Sequence, residues 1–200
     1  MRHRLAVLAI GTAAFSLAGT GPAFAAGAHG NGHGIGRHGP GYPVVPGTYN
    51  PGHVGGIEAA WVTHVGEPDA GHSDHALVLG KKSPTATNAS AYAVLERVSG
   101  TVWNDQLGFD YKTGSYCGAG SPRFDVVDSS GVDHFFGCIY GTQKNLGNGW
   151  TQDRFTGSDA FPPIPKGTPI RSITLVQDEH GRAVLDNIFY NGRTMGKPGA

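Results

Sequence analysis

Charge of either sign is scarce in this chain. Only 15 % of its 200 residues are Asp, Glu, Lys or Arg, and the 15 basic and 15 acidic side chains cancel. There is no basic patch of the kind nucleic acid requires and no acidic block, so charge names no partner and nucleic acid is not expected as one. Cysteine is nearly absent: Cys117 and Cys138 are the whole complement. If they pair, no thiol is left to act as a nucleophile. The chain also lacks a G-x-S-x-G elbow, an H-E-x-x-H pair and a phosphate-cradling P-loop. Its carboxylates are plentiful, but no two stand out by spacing as an acid/base couple.

Long apolar runs are missing as well, with one exception. Leu5 to Leu17 is an apolar stretch behind Arg2 and Arg4, and Ala23-Phe24-Ala25 follows the small-x-small cleavage rule. Residues 1–25 therefore read as a secretory signal peptide cut after Ala25. The run is too short and too rich in Gly, Thr and Ala for a span, which needs about 20 strongly apolar residues. The mature protein is expected to be exported from a bacterial cell, with no membrane span.

Residues 26–56 are rich in glycine, histidine and proline, with Arg37 the single charged side chain. Such a segment cannot bury enough apolar surface to offset its ordering entropy. It reads as a flexible linker, stiffened towards polyproline II around Pro40 to Pro51. Its histidines His29, His33, His38 and His53 are candidates for weak Zn²⁺ or Cu²⁺ binding, or simply a solvated tail.

What remains, 57–200, is long enough for one domain with a core. It is organised around Val102–Tyr140, where QLGFDYK, PRFDVV and DHFFGCIY alternate apolar and polar residues between Gly, Ser and Asp clusters. The same alternation marks 57–65, 75–81, 91–98, 150–156, 170–178 and 183–190. About nine short strands and no long amphipathic helix predict an all-β, antiparallel, jelly-roll-like β-sandwich. Gly108 suggests a bulge or a close backbone approach. FPPIPKGTP (161–169) reads as a proline-locked connection. Cys117 and Cys138, 21 positions apart, come opposite each other if these runs pair. In an exported chain they predict a disulfide worth about 3 kcal/mol by loop entropy.

Two polar groupings invite a chemical reading. His64, Glu67, Asp69, His72, Asp74 and His75 crowd into a dozen residues, as a metal shell or as an ordinary polar turn before a strand. Asp186-Asn187 interrupts the apolar run RAVLDNIFYNG. Strict alternation buries one of them, which then needs a partner, unless a bulge resets the phase. Asp186 is a candidate ligand for a hard cation such as Ca²⁺. Arg123 can pair with Asp125 or Asp110.

The closing strand LDNIFYNG, the opening run with Glu58 and Trp61, HALVL and LGFDYK together resemble secreted bacterial jelly-roll domains of the carbohydrate-binding-module kind. The stretch FDYK…YCGAGSPRFDVV…GC resembles a group of secreted bacterial proteins of the same build. The resemblance covers about residues 57 to 195. It implies a structural Ca²⁺ held by Asp186 and Glu58, and a polysaccharide or cell-surface glycan as partner. Sugar binding needs exposed rings, and Trp103, Trp150, Tyr111, Tyr116 and Tyr140 are the candidates. The expected function is non-catalytic glycan binding. The alternatives are a lyase or glycosidase on the same fold, with His134 beside Tyr140 or Arg123, and a passive cell-surface module.

Overall fold

The computed structural model describes residues 42–68 and 74–197. The segment expected to be a signal peptide, most of the Gly/His segment, Asp69 and His72 lie outside them. Twelve strands run in chain order: β1 (Val44–Tyr49), β2 (Ile57–Thr63), β3 (His75–Lys81), β4 (Ser90–Leu95), β5 (Leu107–Lys112), β6 (Arg123–Asp128), β7 (Asp133–Gly137), β8 (Thr142–Asn145), β9 (Trp150–Phe155), β10 (Ile170–Gln177), β11 (Gly181–Tyr190) and β12 (Arg193–Met195). A five-stranded sheet has the order β1-β4-β10-β6-β7. A seven-stranded sheet has the order β2-β3-β11-β5-β9-β8, with β12 on β11. The strand ladders are antiparallel. The fold is an antiparallel, jelly-roll-like β-sandwich. All nine expected strands are present; β1, β8 and β12 are additional.

Alternation decides what goes inside. In β6, Phe124, Val126 and Asp128 are buried while Arg123, Asp125 and Val127 are half-buried. The inner faces meet in one core with Trp103, Phe109, Phe124, Phe136 and Phe155 at its centre. Their ring centroids lie 5.2–6.0 Å apart in tilted and edge-on pairs, the geometry the ring quadrupoles favour. A second, smaller apolar cluster of Ala76, Val78, Trp150 and Val184 lies on the opposite face of the seven-stranded sheet. That is why β3 is covered on both faces and reads as the continuous run HALVLG.

β1 corrects the expected linker. Residues Val44–Tyr49 lie inside the segment read as flexible, yet they pair with β4 along its length. Pro46 is tolerated because β1 is an edge strand, where a missing N–H costs no ladder bond. Gly47 is required because the Tyr92 ring crosses it; a Cβ there would stand 2.6 Å from Tyr92 Cζ. The strand is anchored by the Trp61 indole, which donates to the Val44 carbonyl at 2.8 Å. It is anchored again by Val44 N donating to Gly196 O at 2.7 Å.

Two local expectations meet their cause. Gly108 is a close approach: a Cβ there would fall 2.3 Å from the Asp153 carbonyl. In β11 the register against β5 shifts between Asp186 and Phe189, and Asn187 takes a left-handed φ of 45°. The extra residue lets Leu185, Ile188 and Tyr190 all enter the core while Asp186 and Asn187 stay together on the other face. Cys117 and Cys138 are joined in a disulfide.

Candidate functional site

The outward face of the five-stranded sheet carries the most distinctive surface. Directly opposed residues of an antiparallel pair share a face, so the registers give its rows. One row runs Val45, Val94, Thr174, Asp125, Phe135. It is prolonged by Phe161, whose N–H and C=O exchange 3.0 Å bonds with Phe135. At about 4.8 Å per strand this row spans about 24 Å. The adjacent row runs Gly47, Tyr92, Val176, Arg123, Gly137. Phe135 is 39 % exposed and Phe161 79 %, so two rings stand side by side on one edge of the face.

The polar centre is rigid. Arg123 Nε donates to Asp125 Oδ1 at 2.6 Å and Nη2 to Oδ2 at 3.3 Å. Its Nη1 donates to Asp178 Oδ2 at 2.7 Å and to the Gly120 carbonyl at 2.8 Å. The guanidinium also lies 5.7 Å from the Phe135 ring centre. Burial pushes Asp125 up to about 6 in spite of Arg123, and it raises Asp133 on the same face.

Beyond Arg123 a cleft of about 440 Å³ opens between Tyr49, Asn88, Ser90 and Glu179. Two cations line it, and both are engaged within the protein. Lys81, 1 % exposed, gives its ammonium to three carbonyls: Thr85 at 3.0 Å, Thr87 at 2.6 Å and Asp178 at 2.7 Å. Arg123 is engaged as described. Tyr116 reaches the rim by donating to Glu179 Oε2 at 2.9 Å.

The tryptophans named from sequence are corrected. Trp103 is wholly buried, packed on Phe136 and bonded through Nε1 to Asp105 at 3.0 Å. Trp150 is 2 % exposed in the second cluster, with the Lys112 ammonium 5.8 Å from its ring centre. Neither offers a stacking surface, because an apolar ring of that size gains more from burial than a polar turn can hold in water. Tyr111 is half-buried against the core and donates to Gln143 at 3.1 Å. Tyr116 is 37 % exposed and Tyr140 57 %. Tyr92, Phe135 and Phe161 were not named. The doublet Phe135-Phe136 held the available signal, since alternation must turn one of the two outward.

The calcium pair is not assembled. Glu58 and Arg182 both oppose Gly80, and Arg182 Nε lies 3.5 Å from Glu58 Oε2. That places Glu58 two strands across and four residues along from Asp186, about 16 Å away. Asp186 instead meets Glu67 and Asp110 on the outer face of the seven-stranded sheet. This group is served by N–H donors. Asp186 accepts from Glu67 N and Asn187 N, each at 2.8 Å. The Asn187 amide donates to Glu67 and Asp110 at 3.1 Å, Asn148 to Glu67 at 2.9 Å, and Arg154 to Asp110 at 3.0 Å. Burial pushes Asp110 up to about 6. Each of the six carboxylate oxygens thus accepts one N–H, and a cation would have to compete with these donors for the oxygens.

The other groupings also separate. His64 pairs with Asp74 at the surface, while Glu67 turns inward. His134 is buried on the inner side of β7 against the Pro162 carbonyl at 2.8 Å, away from outward-facing Arg123 and from Tyr140. Among the described residues, Cys117, Cys138 and Asp153 bring three potential ligand atoms within 4.8 Å of one another, but the two sulfurs are bonded to each other.

Fold and face together define a jelly-roll-like sandwich with aromatic rings and a fixed arginine–carboxylate centre on one open sheet. No family model and no curated protein matches the chain. Among solved structures it is similar to the family 11 carbohydrate-binding module of the cellulosomal cellulase Lic26A-Cel5E of Clostridium thermocellum. The identity is 16 % and the TM-score 0.43, over 82 % of this chain and 94 % of that one. Among the described residues no helix is long and apolar enough to cross a membrane.

Proposed function

We propose that the chain is an exported, non-catalytic module that binds a neutral polysaccharide across the outward face of the five-stranded sheet. The observation that carries this is the placing of Phe161, 79 % exposed, beside Phe135 in one row with Asp125. Flat rings take the apolar faces of sugars, and fixed planar polar groups beside them take the hydroxyls. Arg123 is locked from both sides, so little ordering entropy is lost when a ligand arrives.

The charge of the cleft favours an uncharged ligand. Lys81 and Arg123 give their protons to protein acceptors, while Asp178 and Glu179 line the same space. A uronic-acid residue would bring a third carboxylate there and find no uncommitted cation. The enzyme alternative would have to recruit Asp125 and Asp133. Asp125 has both oxygens held by Arg123, an arrangement for positioning a carboxylate and not for passing its proton on.

Affinity electrophoresis of the native chain tests this in gels containing hydroxyethylcellulose or galactomannan and, in parallel, alginate or polygalacturonate. Release of reducing ends is assayed on the same polymers. Retardation by a neutral polymer, none by the uronates and no released ends are expected. Phe161→Ala should weaken binding about tenfold, as loss of one aromatic contact worth about 1.4 kcal/mol implies. Its stability should stay within about 0.5 kcal/mol of the parent, as for other exposed positions. Retardation by none of the four polymers would leave the passive surface role, and released ends would restore the enzyme.

A further inference from the structure

Asp153 is a buried acid for which neither the core nor the open sheet face has a use. It points inward from β9 with no exposure, and no donor meets either carboxyl oxygen at full hydrogen-bond geometry, the Arg154 N–H and the Gln143 amide being weak partners at most. Leaving such a group unpaired costs about 1–3 kcal/mol, so its retention calls for a role. Burial pushes it up to about 7, with Asp159 adding to the rise and Arg154 and the Gln143 amide opposing it.

What Asp153 faces is the disulfide. A carboxyl oxygen and the sulfurs of Cys117 and Cys138 lie within 4.8 Å of one another. The backbone of Gly141 presses on the carboxyl from the other side, where a Cβ would stand 2.0 Å from Oδ1. The two sulfurs differ in access. Cys138 is wholly buried; Cys117 is half-buried, with the Gln143 amide nitrogen 3.5 Å from its sulfur. Gln143 is held in turn by the Tyr111 hydroxyl.

We propose that the Cys117–Cys138 bridge with Asp153 is a thiol-exchange site for a dithiol reductant, attacked at Cys117 Sγ, with Asp153 the proton donor to Cys138. In the first step the dithiol's thiolate bonds to Cys117 Sγ. The S–S bond breaks and its electron pair goes to Cys138 Sγ. A thiolate is penalised in that buried position, and the Asp153 proton neutralises it, leaving the negative charge on the carboxylate beside Arg154. In the second step the reductant's other thiol, as thiolate, attacks its own sulfur in the mixed disulfide and expels Cys117. That thiolate takes a proton from water, and Asp153 is reprotonated from water. The reductant leaves as a disulfide; two electrons and two protons have passed to the protein. Opening the bridge removes the covalent tie of the 113–122 connection, which carries Tyr116 and the Gly120 carbonyl bonded to Arg123 and stays hydrogen-bonded at Tyr116 N and Gly118 O.

The test is reduction of the native chain by dithiothreitol between pH 5.5 and 8.5, followed by alkylation and mass analysis. Each rate is divided by the reagent's thiolate fraction. The corrected rate should fall about tenfold or more as pH rises through 7, because ionised Asp153 can neither donate nor tolerate an approaching thiolate. Asp153→Asn should give a slow, flat profile. A mixed disulfide trapped with a monothiol should sit on Cys117. A flat corrected profile for the parent chain, or an adduct on Cys138, overturns the proposal; both readouts stand whether or not the Asn variant folds.

Discussion

Three carboxyl groups give this molecule an unusual pH response. Asp110, Asp125 and Asp153 are raised from 3.8 to about 6, 6 and 7, each chiefly by burial. A carboxyl with a raised folded value binds its proton more tightly in the folded state. Its contribution to stability is therefore fully present below about pH 4 and is lost as pH climbs through the window up to its folded value. Asp128 works the other way: hydrogen bonds led by Ser130 lower it, so its stabilisation is lost only as pH falls below about 4. Melting temperature is thus expected to peak near pH 4–5 and decline towards pH 8, and Asp153→Asn should flatten the upper part of that decline. A melting temperature rising steadily from pH 5 to pH 8 would contradict this. These shifts were invisible in the sequence, where an Asp in an alternating strand looks the same on either face.

At the scale of elements, the bulge in β11 and the edge strand β1 matter most. Asn187 is the inserted residue that lets Leu185 and Ile188 both point inward. Deleting it would restore strict alternation with Leu185, Ile188 and Tyr190 still on the inner face, because they would then stand at period two, whereas inserting one further residue after Asn187 would turn Ile188 and Tyr190 outward. The insertion variant is expected not to fold, whereas the deletion variant should fold and lose only the Asn187 bonds to Glu67 and Asp110, and Asn187→Gly, which accepts φ near 45° at little cost, should retain the native melting transition within a few degrees. β1 supplies a second prediction. Removing residues 1–41 should leave thermal stability essentially unchanged, because the ladder to β4 and the Trp61 bond to Val44 remain. Removing residues 1–56 strips the edge of β4 and uncovers the core at Val44, which is wholly buried. Loss of that buried side chain together with the β1–β4 ladder implies a cost of at least about 2 kcal/mol, to be read from urea midpoints of the two truncations. β1 escaped the sequence because Pro46 and Gly47 are poor strand formers, and only the partner strand and the Tyr92 ring explain why they are tolerated.

For the molecule as a whole, each of the six carboxylate oxygens of Glu67, Asp110 and Asp186 already accepts an N–H, so a cation there would compete with those donors. Melting in excess EDTA and in excess Ca²⁺ should coincide; a rise with Ca²⁺ would require a specific site, because a ligand of the native state stabilises it by mass action. The sequence by itself determined the class of fold. Period-two alternation is a local property, and it marked nine of the twelve strands; export and the spacing of the only two cysteines predicted the Cys117–Cys138 bridge. Alternation left two readings of Asp186-Asn187 open, a buried polar residue with a partner or a bulge that resets the phase. Only the tertiary structure decided which of the two faces of each sheet is covered. Trp150 and Phe161 show the difference: each is a lone ring among small and polar neighbours in sequence, yet one is buried by β3, β11 and the turns over them while the other stands open beside Phe135. Burial depends on what packs from a distant part of the chain, and so do the joining of Arg123 to Asp178 across 55 positions and the approach of Asp153 to the disulfide. Contacts of that kind are fixed by strand order and register, which local pattern does not carry.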